Sequence, residues 1–232
     1  MKKNAIIFGG SGDLGSAIIQ DFLEKGFELV ITYKDKKLNN LKNKFRKYKK
    51  NKIFFMYCDL KDEKSIKKLV RFSLKKIGEP QIIINTVGVF YYEKLKNFSY
   101  KKIIETFKTN TFPILAINKE IVSIKKNKKY TKIITIGSSS ALDGFQDTYS
   151  YCGSKHALLG IIKSLNKTIG NKKVLNYCLN VGSIKNRMGK KVKSENYKNF
   201  INQKSIVETI NYICSTELPA FPEEIFLKRF QS

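Results

Sequence analysis

The chain has 232 residues, 42% of them hydrophobic, and no Pro/Gly/Ser-rich linker, internal repeat or break in composition, so one domain with one sizeable core is expected. A formal charge of +26 raises nucleic acid as a partner, but 41 of the 45 basic residues are lysine, four are arginine, and 19 asparagines accompany them, the signature of an AT-rich genome rather than of phosphate readout. No apolar run reaches the roughly 18 residues of a membrane span, and the stretch after Met1-Lys2-Lys3-Asn4 is too brief for a signal peptide, so a cytoplasmic protein is expected.

In chain order, a strand-like run at 5–8 ends in Gly9-Gly10-Ser11-Gly12-Asp13-Leu14-Gly15 and enters a helical pattern at 16–23. Glycines let the backbone turn tightly and approach a ligand, and a helix N-terminus offers unpaired N–H groups to a pyrophosphate. Further strand-like runs fall at 28–32, 53–57, 82–85, 132–136 and 175–179, with a last one near 224–230. Longer patterned segments lie between them, at 65–77 and 100–124. This alternation predicts an α/β, Rossmann-type doubly wound parallel sheet with helices on both faces. Ligands of such sheets collect at the carboxyl ends of the strands.

The lysine runs at 42–52 and 125–132 read as solvated helix faces and loops. Cys58, Cys152, Cys178 and Cys214 have no metal-binding spacing, so packing thiols and no metal are expected. His156, the only histidine, is given no catalytic task, because the acid/base role falls to its neighbour.

That neighbour is Tyr151, four residues before Lys155 and 13 after Ser138, which follows the strand at 132–136. A free tyrosine titrates near pH 10 and is a poor acid or base at neutrality. A lysine one helical turn away can favour the phenolate and bring it towards working pH. Ser138 is placed to hold a substrate oxygen, with Ser139 or Ser140 as substitutes if the strand ends a residue later.

Together these motifs resemble the short-chain dehydrogenase/reductase family, from about residue 4 to 188. The resemblance implies a nicotinamide-dependent enzyme that interconverts a ketone and a secondary alcohol. Catalysis would fall to Asn110, Ser138, Tyr151 and Lys155. Tyr151 would pass the proton, Ser138 orient the oxygen, Lys155 lower the tyrosine pKa and hold the nicotinamide ribose, and Asn110 position a relay water. The cofactor would be held by Gly9, Ser11, Gly12, Asp13, Leu14 and Gly15, by Asp59 and Leu60 against the adenine, and by the turn containing Asn85 and Gly88. The stretch with Gly182, Ile184 and Asn186 would meet the nicotinamide, alongside Tyr151 and Lys155.

Some positions depart from the family pattern. Asp13 stands where a glycine is usual, leaving Gly12 to supply the backbone freedom. Val181 replaces a proline and Asn186 a threonine. The acidic residue that marks NAD users is missing at about Tyr33, and Lys34 and Lys36 stand close by, so NADP is expected, with NAD possible. The resemblance also implies a substrate lid at residues 185–204, where seven of 20 positions are basic and Glu195 is the only acid. Either the lid steers an anionic or carrier-protein-bound substrate, or it is a solvated loop in a lysine-rich chain. A 3-oxoacyl carrier protein reductase-like enzyme and another small-metabolite ketoreductase both fit, acting as a homo-oligomer, dimer or tetramer. The competing reading is a basic nucleic-acid-binding scaffold that keeps the fold without turnover.

Overall fold

The computed structural model describes residues 3–34, 38–48, 52–192, 197–217 and 221–229. In chain order the elements are β1 (Asn4–Phe8), α1 (Asp13–Glu24), β2 (Glu28–Tyr33), α2 (Leu38–Lys44), β3 (Ile53–Tyr57), α3 (Glu63–Ile77), β4 (Ile82–Asn85), α4 (Tyr100–Asn110), α5 (Pro113–Ile124), β5 (Thr131–Ile136), α6 (Tyr149–Ile169), β6 (Val174–Val181), α7 (Arg187–Val192), α8 (Gln203–Ser215) and β7 (Glu224–Leu227). The strands form one parallel sheet in the order β3-β2-β1-β4-β5-β6-β7.

All five residues of β1 are buried, because a central parallel strand is covered on both faces. Its side chains alternate between two cores. Ala5 and Ile7 join the layer under α1 and α8, with Ile18, Phe22, Ile206 and Ile210. Ile6 and Phe8 join the layer under α3, α5 and α6, with Ile66, Ile117 and Leu158. Ile6 stands opposite Val30 of β2 and Ile83 of β4, so the strand order reverses at β1. In a doubly wound sheet, ligands bind in the crevice at that reversal, outside the carboxyl ends.

Local chemistry sets the element boundaries. Asp62 accepts the Lys64 N–H at 2.9 Å and starts α3 two residues before the expected position, and Gly78, at φ 81°, ends it. The patterned segment 100–124 is two helices, because Pro113 has no N–H for a continuous ladder and takes the first position of α5. The last strand stops at Leu227, short of the expected 230.

The solvated reading of 125–132 fails at both ends. Lys132 donates to the carbonyls of Ile213 (2.8 Å), Cys214 (3.1 Å) and Thr216 (2.6 Å), closing the C-terminus of α8. Lys125 is buried against Glu79 at 3.4 Å. The spacing of lysines along the chain cannot reveal this, because the carbonyls and the acid come from distant segments.

Candidate active site

The first half of the site is the turn between β1 and α1. Gly9 takes φ 85°, and a Cβ on Gly15 would collide with the Gly9 carbonyl, so both positions require glycine. Gly12 lies at φ −78° and ψ 163°, ordinary extended backbone, so the freedom expected of Gly12 is supplied by Gly9 instead. Gly12 caps α1 without a side-chain bond, which leaves the first N–H groups of the helix facing a ligand cleft.

Asp13 lies inside the first turn of α1 and reaches across the cleft mouth. Its carboxylate accepts the backbone N–H of Arg187 and the Arg187 Nε–H, each at 2.9 Å, while Arg187 Nη2 donates to Ser11 O at 3.3 Å. This clamp ties the start of α7 to the glycine turn, 174 residues away. Both side chains are partly exposed, so the pair adds little global stability. Asp13→Ala is therefore expected to speed amide exchange at 187–189 several-fold with almost no change in Tm. Unchanged exchange there would mean the clamp is not made in solution.

The second half sets Ser138, Tyr151 and Lys155 on the wall of the same cleft, with Asn110 buried behind Gly88. Ser138 follows β5, its N–H donates to Asn180 Oδ1 at 3.1 Å, and its Oγ accepts the Ser140 N–H at 3.1 Å. Strand β5 ends at Ile136, so Ser138 keeps its expected place: the Ser140 N–H orients its hydroxyl, and Ser138 is the serine that bears on the Tyr151 phenol. Burial raises the Tyr151 phenol above its ordinary pKa, with the Ser138 bond pulling down against it. The lowering expected from Lys155 is absent. Lys155 Nζ donates to Ile136 O at 2.9 Å and lies 5.8 Å from the centroid of the Tyr151 ring, and burial pushes its own pKa down to about 8.

Asn110 is buried at the end of α4 and spends its side chain on structure. Oδ1 accepts Val89 N–H at 2.8 Å, and Nδ2 donates to Val89 O and Ser154 Oγ, each at 3.0 Å. Its backbone carbonyl is released by the break before Pro113, because Ile114 N–H turns to Thr111 O at 3.4 Å. Gly88 sits between Asn110 and Lys155: a Cβ there would lie 3.5 Å from Asn110 Oδ1 and 3.9 Å from Lys155 Nζ.

The remaining expected positions fall around the same cleft, of about 1370 Å³, more than the roughly 300–1,000 Å³ of a single small-ligand pocket. Leu14, Asp59, Leu60, Gly182, Ile184 and Asn186 line it. Asn85 is buried at the end of β4, its Oδ1 holding the Val87 N–H at 3.1 Å. Asn186 Oδ1 accepts Gly189 N–H at 2.7 Å. Lys34 is not a free cation: its Nζ pairs with Asp59 Oδ2 at 3.0 Å. Against the burial that raises it, the Lys61 N–H and Lys34 hold the Asp59 carboxylate below its ordinary pKa. Lys36 lies outside the described residues, as do 193–196 of the expected lid. The far end of that segment returns to the site, where Lys185 N–H bonds Ile201 O at 2.8 Å and Ile201 N–H bonds Ser183 O at 2.9 Å.

A model of the short chain dehydrogenase family matches residues 3–197. The chain belongs to the short-chain dehydrogenase family. It is 27% identical over 202 residues to the 3-oxoacyl-[acyl-carrier-protein] reductase of Buchnera aphidicola (subsp. Schizaphis graminum), covering 87% of this chain and 82% of that protein. It is 27% identical over 181 residues to the xanthoxin dehydrogenase of Arabidopsis thaliana, covering 76% and 64%. The solved structure of ElxO with NADP bound shares the fold, with a TM-score of 0.87 at 20% identity over 97% of this chain and 96% of that one.

In this short-chain dehydrogenase, three residues at the site escaped sequence reasoning as individuals. Phe90 packs edge-on to Tyr151, with ring centroids 4.8 Å apart. The run Val89-Phe90-Tyr91-Tyr92 after the β4 turn was the available signal, because a strand end at the crevice carries ligand contacts. Asn180 is buried, donates to Glu224 Oε1 at 2.9 Å and fixes the Ser138 backbone. Arg187 counted only as one basic residue of a lid, since nothing local announces a partner at Asp13.

The described residues contain no helix long and apolar enough to cross a membrane, and no group of three metal-binding side chains. Burial pushes the thiols of Cys58 up to about 11 and of Cys178 and Cys214 up to about 12, which makes them unreactive packing groups.

Proposed function

We infer that the protein reduces a ketone to a secondary alcohol at the expense of NADPH. The observation that carries this reading is that Ser138, Tyr151 and Lys155 line the same cleft as a glycine turn and a helix N-terminus with no side-chain cap. A bound nicotinamide cofactor supplies hydride to the carbonyl carbon. The residues of this chain do the rest. The α1 N-terminus and glycine turn would hold the pyrophosphate, Asp59 and Leu60 the adenine, and Ile184 and Asn186 the nicotinamide end. Asn186 keeps its amide N–H groups for that task, since its oxygen is committed to Gly189.

Tyr151 donates its proton to the substrate oxygen, a role suited to a phenol that burial keeps protonated. Ser138 holds that oxygen beside the phenol. Lys155 orients the ribose and, through the freed carbonyl of Asn110, a water that returns the proton. Curated relatives named as 3-oxoacyl-[acyl-carrier-protein] reductases support ketone reduction, and ElxO, solved with NADP and, as a point variant, with NADPH, supports the cofactor. Match to an enzyme family over most of the chain does not favour a nucleic-acid scaffold.

The activity is tested by following NADPH absorbance with a panel of carbonyl compounds; no consumption with any of them would overturn the reading. Cofactor choice has its own test, because Lys34 is shared between Asp59 and an incoming 2′-phosphate. Asp59→Asn is expected to raise the NADPH over NADH preference by roughly tenfold, about one charge-assisted bond, and Lys34→Ala to lower it by a similar factor. Equal efficiency with both cofactors in the unaltered protein would refute the preference.

A further inference from the structure

The charge of the cleft is at odds with the charge of the chain. Although the chain carries +26, the cations along the cleft wall are matched among the described residues: Lys34 by Asp59 at 3.0 Å, Lys61 by Glu105 at 3.1 Å and Arg187 by Asp13 at 2.9 Å. Lys155 is turned to the Ile136 carbonyl. Two charges of the wall have no ionic partner among the described residues: Lys155, buried with its ammonium on that carbonyl, and a carboxylate, Asp147, which accepts the Tyr149 hydroxyl at 3.3 Å. Lys190, from the basic segment after β6, is not part of the wall; its ammonium lies 5.8 Å from the centroid of the Tyr197 ring.

Around Tyr151 the wall is aromatic. Phe90 meets the Tyr151 ring at 4.8 Å and 76°, and Tyr92 meets Phe90 at 4.9 Å and 89°. Phe145 also lines the cleft and stays 50% exposed. The loop that carries Phe145 and Asp147 is built rather than loose. Asp147 adopts φ 56°, a left-handed conformation that asparagine and aspartate tolerate best, and its carbonyl accepts Glu93 N–H at 2.7 Å. The Glu93 carboxylate is buried and accepts the Ser150 hydroxyl at 2.8 Å, one residue before Tyr151. Glu93 thus fixes the aromatic wall and the lone carboxylate relative to the proton donor.

Resting on the ketoreductase reading, we propose that the substrate end takes an uncharged carbonyl compound with a flat, apolar body, packed against Phe90 and Phe145, and that Asp147 disfavours a carboxylate on it. An aromatic face prefers a flat partner at offset or edge-on geometry, and a nearby carboxylate with no salt-bridge partner opposes an anion.

The test is equilibrium binding to the Tyr151→Phe protein, which removes turnover, measured by calorimetry with and without NADPH. Methyl 4-acetylbenzoate and 4-acetylbenzoate share a skeleton and differ in charge; acetophenone and cyclohexyl methyl ketone differ in flatness. The ester is expected to bind roughly tenfold more tightly than the carboxylate, and acetophenone several-fold more tightly than its saturated counterpart. Adding Phe90→Leu should erase the second difference, and Asp147→Asn should narrow the first. A carboxylate that binds as tightly as its ester, or no binding of either neutral probe, overturns the proposal. Binding with the expected preference, but no NADPH consumption by the unaltered protein, would leave this inference standing and remove the ketoreductase reading instead.

Discussion

Tyr151→Phe is expected to lower kcat by about 10²–10⁴-fold, the usual worth of a positioned general acid, while NADPH affinity changes less than about threefold. The phenol hydroxyl is lost, but the ring keeps its edge-on contact with Phe90, and Lys155 keeps its bond to Ile136 O. An interaction made only in the transition state should lower kcat and kcat/KM together and leave KM unchanged. Steady-state kinetics with NADPH fluorescence titration separates the two quantities. More than a few per cent of residual turnover would remove Tyr151 from the proton-transfer role.

Replacement of Lys155 by Met should abolish turnover and at the same time stabilise the protein. Burial holds Lys155 at about 8 against an ordinary 10.5, so the fold penalises its charged form. At about 1.4 kcal/mol per pH unit that penalty is about 3 kcal/mol at neutral pH, and losing the bond to Ile136 O returns about 1 kcal/mol of it. A net gain of about 2 kcal/mol is expected, a case of activity maintained at the expense of stability.

The direction with pH follows from the same shift. Below pH 8 both folded and unfolded chains hold the Lys155 proton and the full penalty is present. Between 8 and 10.5 the folded chain releases a proton that the unfolded chain keeps, so stability rises with pH across that window. The thiols of Cys58, Cys178 and Cys214 act in the opposite sense above pH 9, where the unfolded chain ionises them and the folded chain does not. Denaturant midpoints should therefore climb from about pH 8 to about 9 and then fall, and Lys155→Met should flatten only the climb. A variant less stable than the parent at pH 7, or one that keeps the climb, contradicts this account.

What the sequence determined on its own is what depends on short-range order along the chain. Apolar runs at 5–8 and 82–85 declare strands covered on both faces, the glycine spacing from Gly9 to Gly15 declares a turn into a helix, and Tyr151 and Lys155 at one-turn spacing declare a shared helix face. From these, the doubly wound sheet and the position of the crevice follow, because parallel strands with helical crossovers have few arrangements. Tertiary structure decided which charges were already spent. Lys34 meets Asp59 from 25 residues away, Arg187 meets Asp13 from 174, and Lys132 closes a helix that begins 71 residues later, at Gln203. It also decided that Lys155 turns to the Ile136 carbonyl and leaves the Tyr151 phenol to be raised by burial, the reverse of what their spacing alone suggests. Electrostatic partners are chosen by distance in space and by the water that burial removes, and neither quantity is written in the spacing of residues along a chain.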